Sequence, residues 1–139
     1  MLPKSIALLG TVGLLVSQGF FMLGTLPLLI LKHDTPTDSR FIRGVFNTCY
    51  LVVMGIAALV SISFASISQW QYCLATAAFA LVIFVIRFAI LSRMDHVRTM
   101  LNQHDAVAVK RFRRVHITGM LLNASLLATV AWTMTRLGL

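Results

Sequence analysis

Charge is scarce in this chain. Only 12% of its 139 residues are charged and 58% are hydrophobic, whereas an ordinary soluble domain is about 25% charged. Carboxylates are scarcer still: Asp34, Asp38, Asp95 and Asp105 are all there are. No paired acidic residues mark an ion path, and no interrupted apolar segment suggests a transporter helix, so a channel or transporter ranks third among the functions considered. Cysteine is limited to Cys49 and Cys73. They fall near opposite ends of two successive apolar runs, which puts ~30 Å of bilayer between them. A disulfide needs Cα atoms within about 7 Å, which excludes an intramolecular bridge. Neither a CxxC nor a metal-type spacing is present.

What the chain has in excess is positive charge, +8 in net terms. The basic residues sit at the ends of apolar runs rather than in a polar patch with interleaved aromatics. That is the distribution of a membrane protein, and it excludes nucleic acid as a partner. The apolar runs number four, each near the ~20 residues a bilayer-spanning helix requires. One all-α, four-transmembrane-helix bundle over residues 1–139 accounts for the whole length, with nothing left for a second domain.

The spacing predicts span one over Ile6–Ile30, uncleaved because its flank lacks a small-residue cleavage motif and its core exceeds a signal peptide's. Gly10, Gly13, Ser17 and Gly24 share one face, the pattern that lets a second helix approach closely in lipid. Pro27 is expected to kink the last turn. Lys32–Arg43 reads as a polar loop in which Thr37 or Asp38 caps a short helix into span two. Span two is expected over Gly44–Ile67. Asn47, Tyr50 and Met54 share its opening face, and Ala58, Ser61 and Ala65 continue it as a small-residue seam. Ser68–Gln71 makes a tight turn flanked by the interfacial aromatics Trp70 and Tyr72.

Span three is expected over Tyr72–Leu91. Helical periodicity continues through Met94, Val97 and Leu101, an extension reaching ~15 Å beyond the span at 1.5 Å per residue. Asn102–His104 turns the chain and Asp105 caps the returning helix. Ala108, Phe112 and Val115 face the outgoing helix, so spans three and four begin as an antiparallel helical hairpin. Span four runs over Val115–Leu137, anchored by Trp132. The stretch Asn102–Asn123 is the most distinctive, because Lys110, Arg111, Arg113 and Arg114 stand directly before an apolar run. Nine basic residues fall in the first and third connections, against Lys4 and Arg136 on the other side. By the positive-inside rule 32–43 and 92–115 are cytoplasmic and both termini periplasmic, in a bacterial inner membrane. Asp95 and Arg98, three apart, read as a weak surface pair.

The chemistry-bearing residues gather on that side. His33, His96, His104 and His116 all lie there and none lies deep in a span, which argues against a haem held by two histidines inside the bundle; the cofactor is otherwise open. His33 and His116 sit at the ends of spans one and four. With Asp34 they are the weak metal candidates, short of the ligand set and spacing a metal site requires. Gln18, Asn47, Tyr50, Arg87 and Asn123 are polar groups within spans, where polar side chains are costly and turn inward. A polar cluster of Asn47, Tyr50, Arg87, His116 and Asn123 is therefore expected. As a catalytic site it would use His116 as ligand or base and Arg87 as anion contact, with Tyr50 and Asn123. As plain structure, Arg87 snorkels to lipid phosphate and Asn123 bonds across helices. Lys110, Arg111, Arg113 and Arg114 read first as an orienting cluster lying against anionic lipid.

With Phe112, Arg114, His116 and Asn123, the chain resembles small bacterial four-span membrane proteins classed as domains of unknown function. These are related loosely to the anthrone-oxygenase-like and transmembrane-205-like groups. The resemblance extends to the Gly-rich first span ending near Pro27 and to Phe46 and Tyr50 at the opening of span two, and it implies architecture more than chemistry. Arg43, Asn47 and the position of Tyr50 are also similar to the Arg-x3-Asn-x2-Glu opening of span two in membrane-associated eicosanoid and glutathione enzymes, with Tyr50 where that family has Glu. The leading expectation is a non-catalytic accessory or structural subunit of a larger membrane complex, partnered by lipids and by other subunits or further copies of itself. The alternative is a membrane-embedded oxidoreductase or transferase acting on a lipid-like substrate at the cytoplasmic interface.

Overall fold

A computed structural model describes residues 2–30, 35–101 and 106–136. They form helices α1 (Leu2–Thr25), α2 (Pro36–Ser66), α3 (Trp70–Leu101) and α4 (Ala106–Arg136), with a 3-10 turn at Pro27–Leu29. No strand occurs among the described residues. All four helices are long and apolar enough to cross a membrane. They pack in a ring, each against its neighbours in sequence, with α4 closing onto α1. Large apolar side chains such as Leu9, Phe20, Leu81 and Phe88 point outward, as expected where the surroundings are lipid rather than water.

The core follows heptad-like stripes. On α2 the inward positions are Ile42, Phe46, Cys49, Tyr50, Val53, Ala57, Val60 and Phe64, all buried. Their alternating steps of three and four keep one face of a 3.6-residue helix turned inward over its full length. α4 answers with Ala108, Phe112, His116, Met120, Asn123, Leu126 and Val130. α3 contributes a narrower stripe, chiefly Ile83, Ile90, Met94 and Val97. Burial of Met94, Val97, Ala108 and Phe112 joins the extended ends of α3 and α4 as the expected hairpin.

Several expectations are corrected. The helix cap expected at Thr37 or Asp38 falls instead at Thr35, and α2 runs unbroken from Pro36: the Thr35 Oγ1 accepts from the Asp38 amide at 3.1 Å. Thr before Pro is a strong helix start: the hydroxyl takes an otherwise unmet N–H, and proline at N1 has none to lose. The added turns are amphipathic, with Ser39 and Ile42 buried and Arg40 and Phe41 outside, so the short helix expected before span two is continuous with it. Pro27 does not kink a continuing helix: α1 stops at Thr25, and Pro27 opens the 3-10 turn. Of the presumed α2 seam, Ala58 is exposed, whereas Ser61 is buried and donates to the Cys73 carbonyl at 2.9 Å. That contact also sets the cysteine separation. Cys49 lies twelve residues before Ser61 on α2, or ~18 Å at 1.5 Å per residue, short of the ~30 Å expected but still beyond bridging. Both cysteines are free.

α2 ends in a Schellman turn. Ser68 N–H donates to Ala65 O at 3.0 Å and Gln69 N–H to Phe64 O at 3.0 Å, with Ser68 at φ 59°. That left-handed position normally takes glycine because a Cβ is disfavoured there. Ser68→Gly is therefore expected to raise stability by about 1 kcal/mol, relief of the Cβ strain exceeding the added chain entropy. Detergent-denaturation midpoints of the purified variants check this; a lower midpoint for the glycine variant would refute it.

Candidate functional site

The polar side chains of the spans divide into two groups rather than one. The inner group comprises Gln18 on α1, Tyr50 on α2, and His116 and Asn123 on α4, each no more than 3% exposed. Helix register explains their meeting. A methyl on Gly119 would fall 2.6 Å from Cε1 of Phe46, so the Phe46 ring of α2 reaches across to the parallel α4 there, and one turn further on Tyr50 and Asn123 share a level. Antiparallel α1 is set by Gly10, where a methyl would fall 2.5 Å from Cγ2 of Val60. Eight residues along α1, Gln18 comes level with Tyr50 and Val53.

Phe46 links this group. Its ring, wholly buried, lies 5.4 Å from the His116 imidazole at 85°, an edge-on contact, and 6.0 Å from the Tyr50 ring. His116, expected in the inward-facing polar cluster, is enclosed by the bundle. Tyr50 Oη, Asn123 Oδ1 and Gln18 Oε1 are buried with no hydrogen-bond partner among the described residues. Each such atom costs about 1–3 kcal/mol, which makes this layer the least satisfied part of the fold. Gln18 was not expected in the cluster. Its signal was available as the one carboxamide in span one, on the stripe of Ala7, Thr11, Leu14 and Thr25.

The outer group runs along the α2–α3 seam. Arg87 donates through Nε (3.2 Å) and Nη2 (2.8 Å) to Oδ1 of Asn47. Two turns further along α3, Asp95 accepts a fork from Arg43, Nε to Oδ1 at 2.7 Å and Nη2 to Oδ2 at 2.8 Å. Arg98, the partner expected for Asp95, lies 4.0 Å from the same Oδ1. The fork beats the i,i+3 neighbour because guanidinium and carboxylate match as planar pairs only when both N–H groups reach both oxygens. Side chains about a third exposed keep the pair's net worth modest, roughly 1 kcal/mol. Arg43, Arg87, Phe88, Leu91, Ser92 and Asp95 line a shallow cleft of about 320 Å³.

Of the residues proposed for chemistry, Tyr50, His116 and Asn123 belong to the inner group, whereas Arg87 belongs to the outer one. His33, Asp34, His104 and Asp105 lie outside the described residues. Among the described residues no three His, Cys, Asp or Glu side chains gather as metal ligands would. Lys110, Arg111, Arg113 and Arg114 are all exposed. Of the glycines in the small-residue stripe of α1, Gly10 meets another helix closely, whereas Gly13 and Gly24 have nothing within 4 Å of a would-be side chain. Comparison of the chain with known protein families, with curated proteins and with solved structures finds no match to any of them.

Proposed function

We propose that the chain is a small integral membrane protein acting as a non-catalytic accessory or structural subunit of a larger membrane complex. One observation carries the reading: the side chains suited to chemistry are taken up by the packing. His116 and Tyr50 are 0% and 1% exposed, behind the ring of Phe46, and Arg87 is held by Asn47. A small-residue face on α1 meanwhile stays open to another helix. The end bearing nine of the basic residues is assigned to the cytoplasm of a bacterial inner membrane. Thiol labelling of Arg113→Cys and Gln71→Cys, each on a Cys49→Ser/Cys73→Ser background, tests that orientation. External labelling of position 113 in intact spheroplasts would reverse it.

The subunit role is tested by native mass spectrometry of tagged protein from its own membranes. The expected masses are the chain plus other polypeptides. A bare chain carrying small-molecule mass would instead favour a second reading, an oxidoreductase or transferase working on a lipid-like substrate at the cytoplasmic interface. What favours that reading is the layer of unpartnered oxygens on Gln18, Tyr50 and Asn123. Under it, His116→Ala and Arg87→Ala abolish turnover while expression persists; if both variants keep full function, the enzyme reading fails.

A further inference from the structure

α3 packs closely on α2 and more lightly on α4. Between α3 and α4, at the charged end of the bundle, this leaves a groove of about 460 Å³. Arg93 and His96 stand on its α3 wall and Arg111 and Arg114 on its α4 wall, with Val97 and Val115 in its floor. Among the described residues no carboxylate lines it. Asp95, the nearest in sequence, lines the other cleft, on the α2–α3 side, with its oxygens on Arg43. Arg93, Arg111 and Arg114 make no ion pair among the described residues. Three arginine side chains therefore border one groove with no carboxylate against them among the described residues.

We propose that this groove holds the phosphate of an anionic membrane lipid. Guanidinium forks fit phosphate oxygens in a way that ammonium groups do not, and basic pockets between spans on the cytoplasmic side suit lipid headgroups. Two features select a lipid over a free anion. The floor is aliphatic, and the same face of α3 continues down the bundle through Ala89, Val85 and Val82, all exposed, which gives acyl chains a surface to lie on. Of the basic cluster, Arg111 and Arg114 line the groove while Lys110 and Arg113 do not. A built site and a diffuse positive field therefore make different predictions for residues two or three positions apart. The proposal is independent of whether the chain is a subunit or an enzyme.

The test is lipid titration of the purified full chain in neutral detergent, followed by native mass spectrometry. Phosphatidylglycerol and phosphatidylcholine of identical acyl chains are the probes, with inorganic phosphate as competitor. Phosphatidylglycerol is expected to bind at least about tenfold more tightly than phosphatidylcholine, and Arg111→Gln/Arg114→Gln to lose about that factor, as removal of charge-assisted bonds requires. Arg93→Gln, on the opposite wall, weakens binding in the same direction. Lys110→Gln/Arg113→Gln removes the same charge and stays within about twofold of the parent, because only screened attraction is lost. These side chains are exposed, so unfolding midpoints match the parent; should the α4 double variant fail to fold, Arg93→Gln decides alone. Equal losses in both double variants, or none from Arg93→Gln, would overturn the site. Displacement by millimolar inorganic phosphate as effective as by the lipid itself would overturn its assignment to lipid.

Discussion

Gly119→Val is expected to destabilise the bundle by about 3 kcal/mol, a large fraction of the total stability of a marginally stable domain. The argument turns on what cannot move. A Cβ at Gly119 falls 2.6 Å from Cε1 and 3.2 Å from Cζ of Phe46, and that ring has no exposed surface into which to swing. His116 meets it edge-on and Tyr50 packs beside it. Accommodating a methyl therefore requires α4 to shift from α2, which would disturb the level of Asn123 as well. Helix propensity works the other way, since glycine inside a helix is about 1 kcal/mol worse than alanine. Gly119→Ala should consequently cost less than the valine variant while remaining a net loss. Phe46→Leu in the Gly119→Ala background is expected to restore part of that loss by removing the ring edge, a coupling that a double-mutant cycle reads directly. Gly13 supplies the control: nothing lies within 4 Å of its would-be Cβ, so Gly13→Ala should be neutral or slightly stabilising. Unfolding midpoints in a graded anionic detergent measure all of these. If Gly119→Ala proved as harmless as Gly13→Ala, the close contact of the Phe46 ring with α4 would be wrong.

The contrast between those two glycines shows what a sequence can and cannot convey. Four apolar runs, the charge asymmetry and the periodicity through Met94, Val97, Ala108 and Phe112 were legible because each is local: one stretch of chain suffices to read length and face. Gly119 looked like one small residue among many, and Gly10, Gly13 and Gly24 looked equivalent, because nothing local tells which glycine has an aromatic ring or a valine opposite it. The same holds for Asp95. Arg98 is its visible neighbour, whereas Arg43, its actual partner, lies fifty-two residues away and becomes adjacent only once the α2–α3 register is known. The start of α2 differs for another reason. Thr37 and Asp38 read as the cap of a separate short helix, although Thr35–Pro36 is the helix start and Ser39, Ile42 and Phe46 step inward by three and four without a break. Tyr50, His116 and Asn123 were readable as inward-facing from the cost of polar groups in lipid. That Gln18 joins them and Arg87 faces Asn47 instead required the register between helices.

The inner layer yields the other large effect. Tyr50→Phe, Asn123→Leu and Gln18→Met together are expected to stabilise the purified chain by several kcal/mol, from about 1–3 kcal/mol per buried unpartnered oxygen removed. The replacements approximate the volume of the originals, so cavity and overpacking terms remain small. Tyr50 and Asn123 also stand at one level of the bundle, so changing both removes two polar groups at once rather than stranding one, which is the favourable case for apolar substitution. The sign of the result is what matters. A gain in unfolding midpoint would mean that the chain carries these oxygens at a net cost to the isolated bundle, as expected of a layer whose partners are supplied by something else. A loss would mean that they are already bridged by bound water or by a small polar molecule, since only a satisfied network is weakened when its members are made apolar. Single variants extend the test. Under the expected outcome Tyr50→Phe alone is neutral to stabilising, and a drop of more than about 1 kcal/mol for that one hydroxyl would by itself require an unseen hydrogen-bond partner.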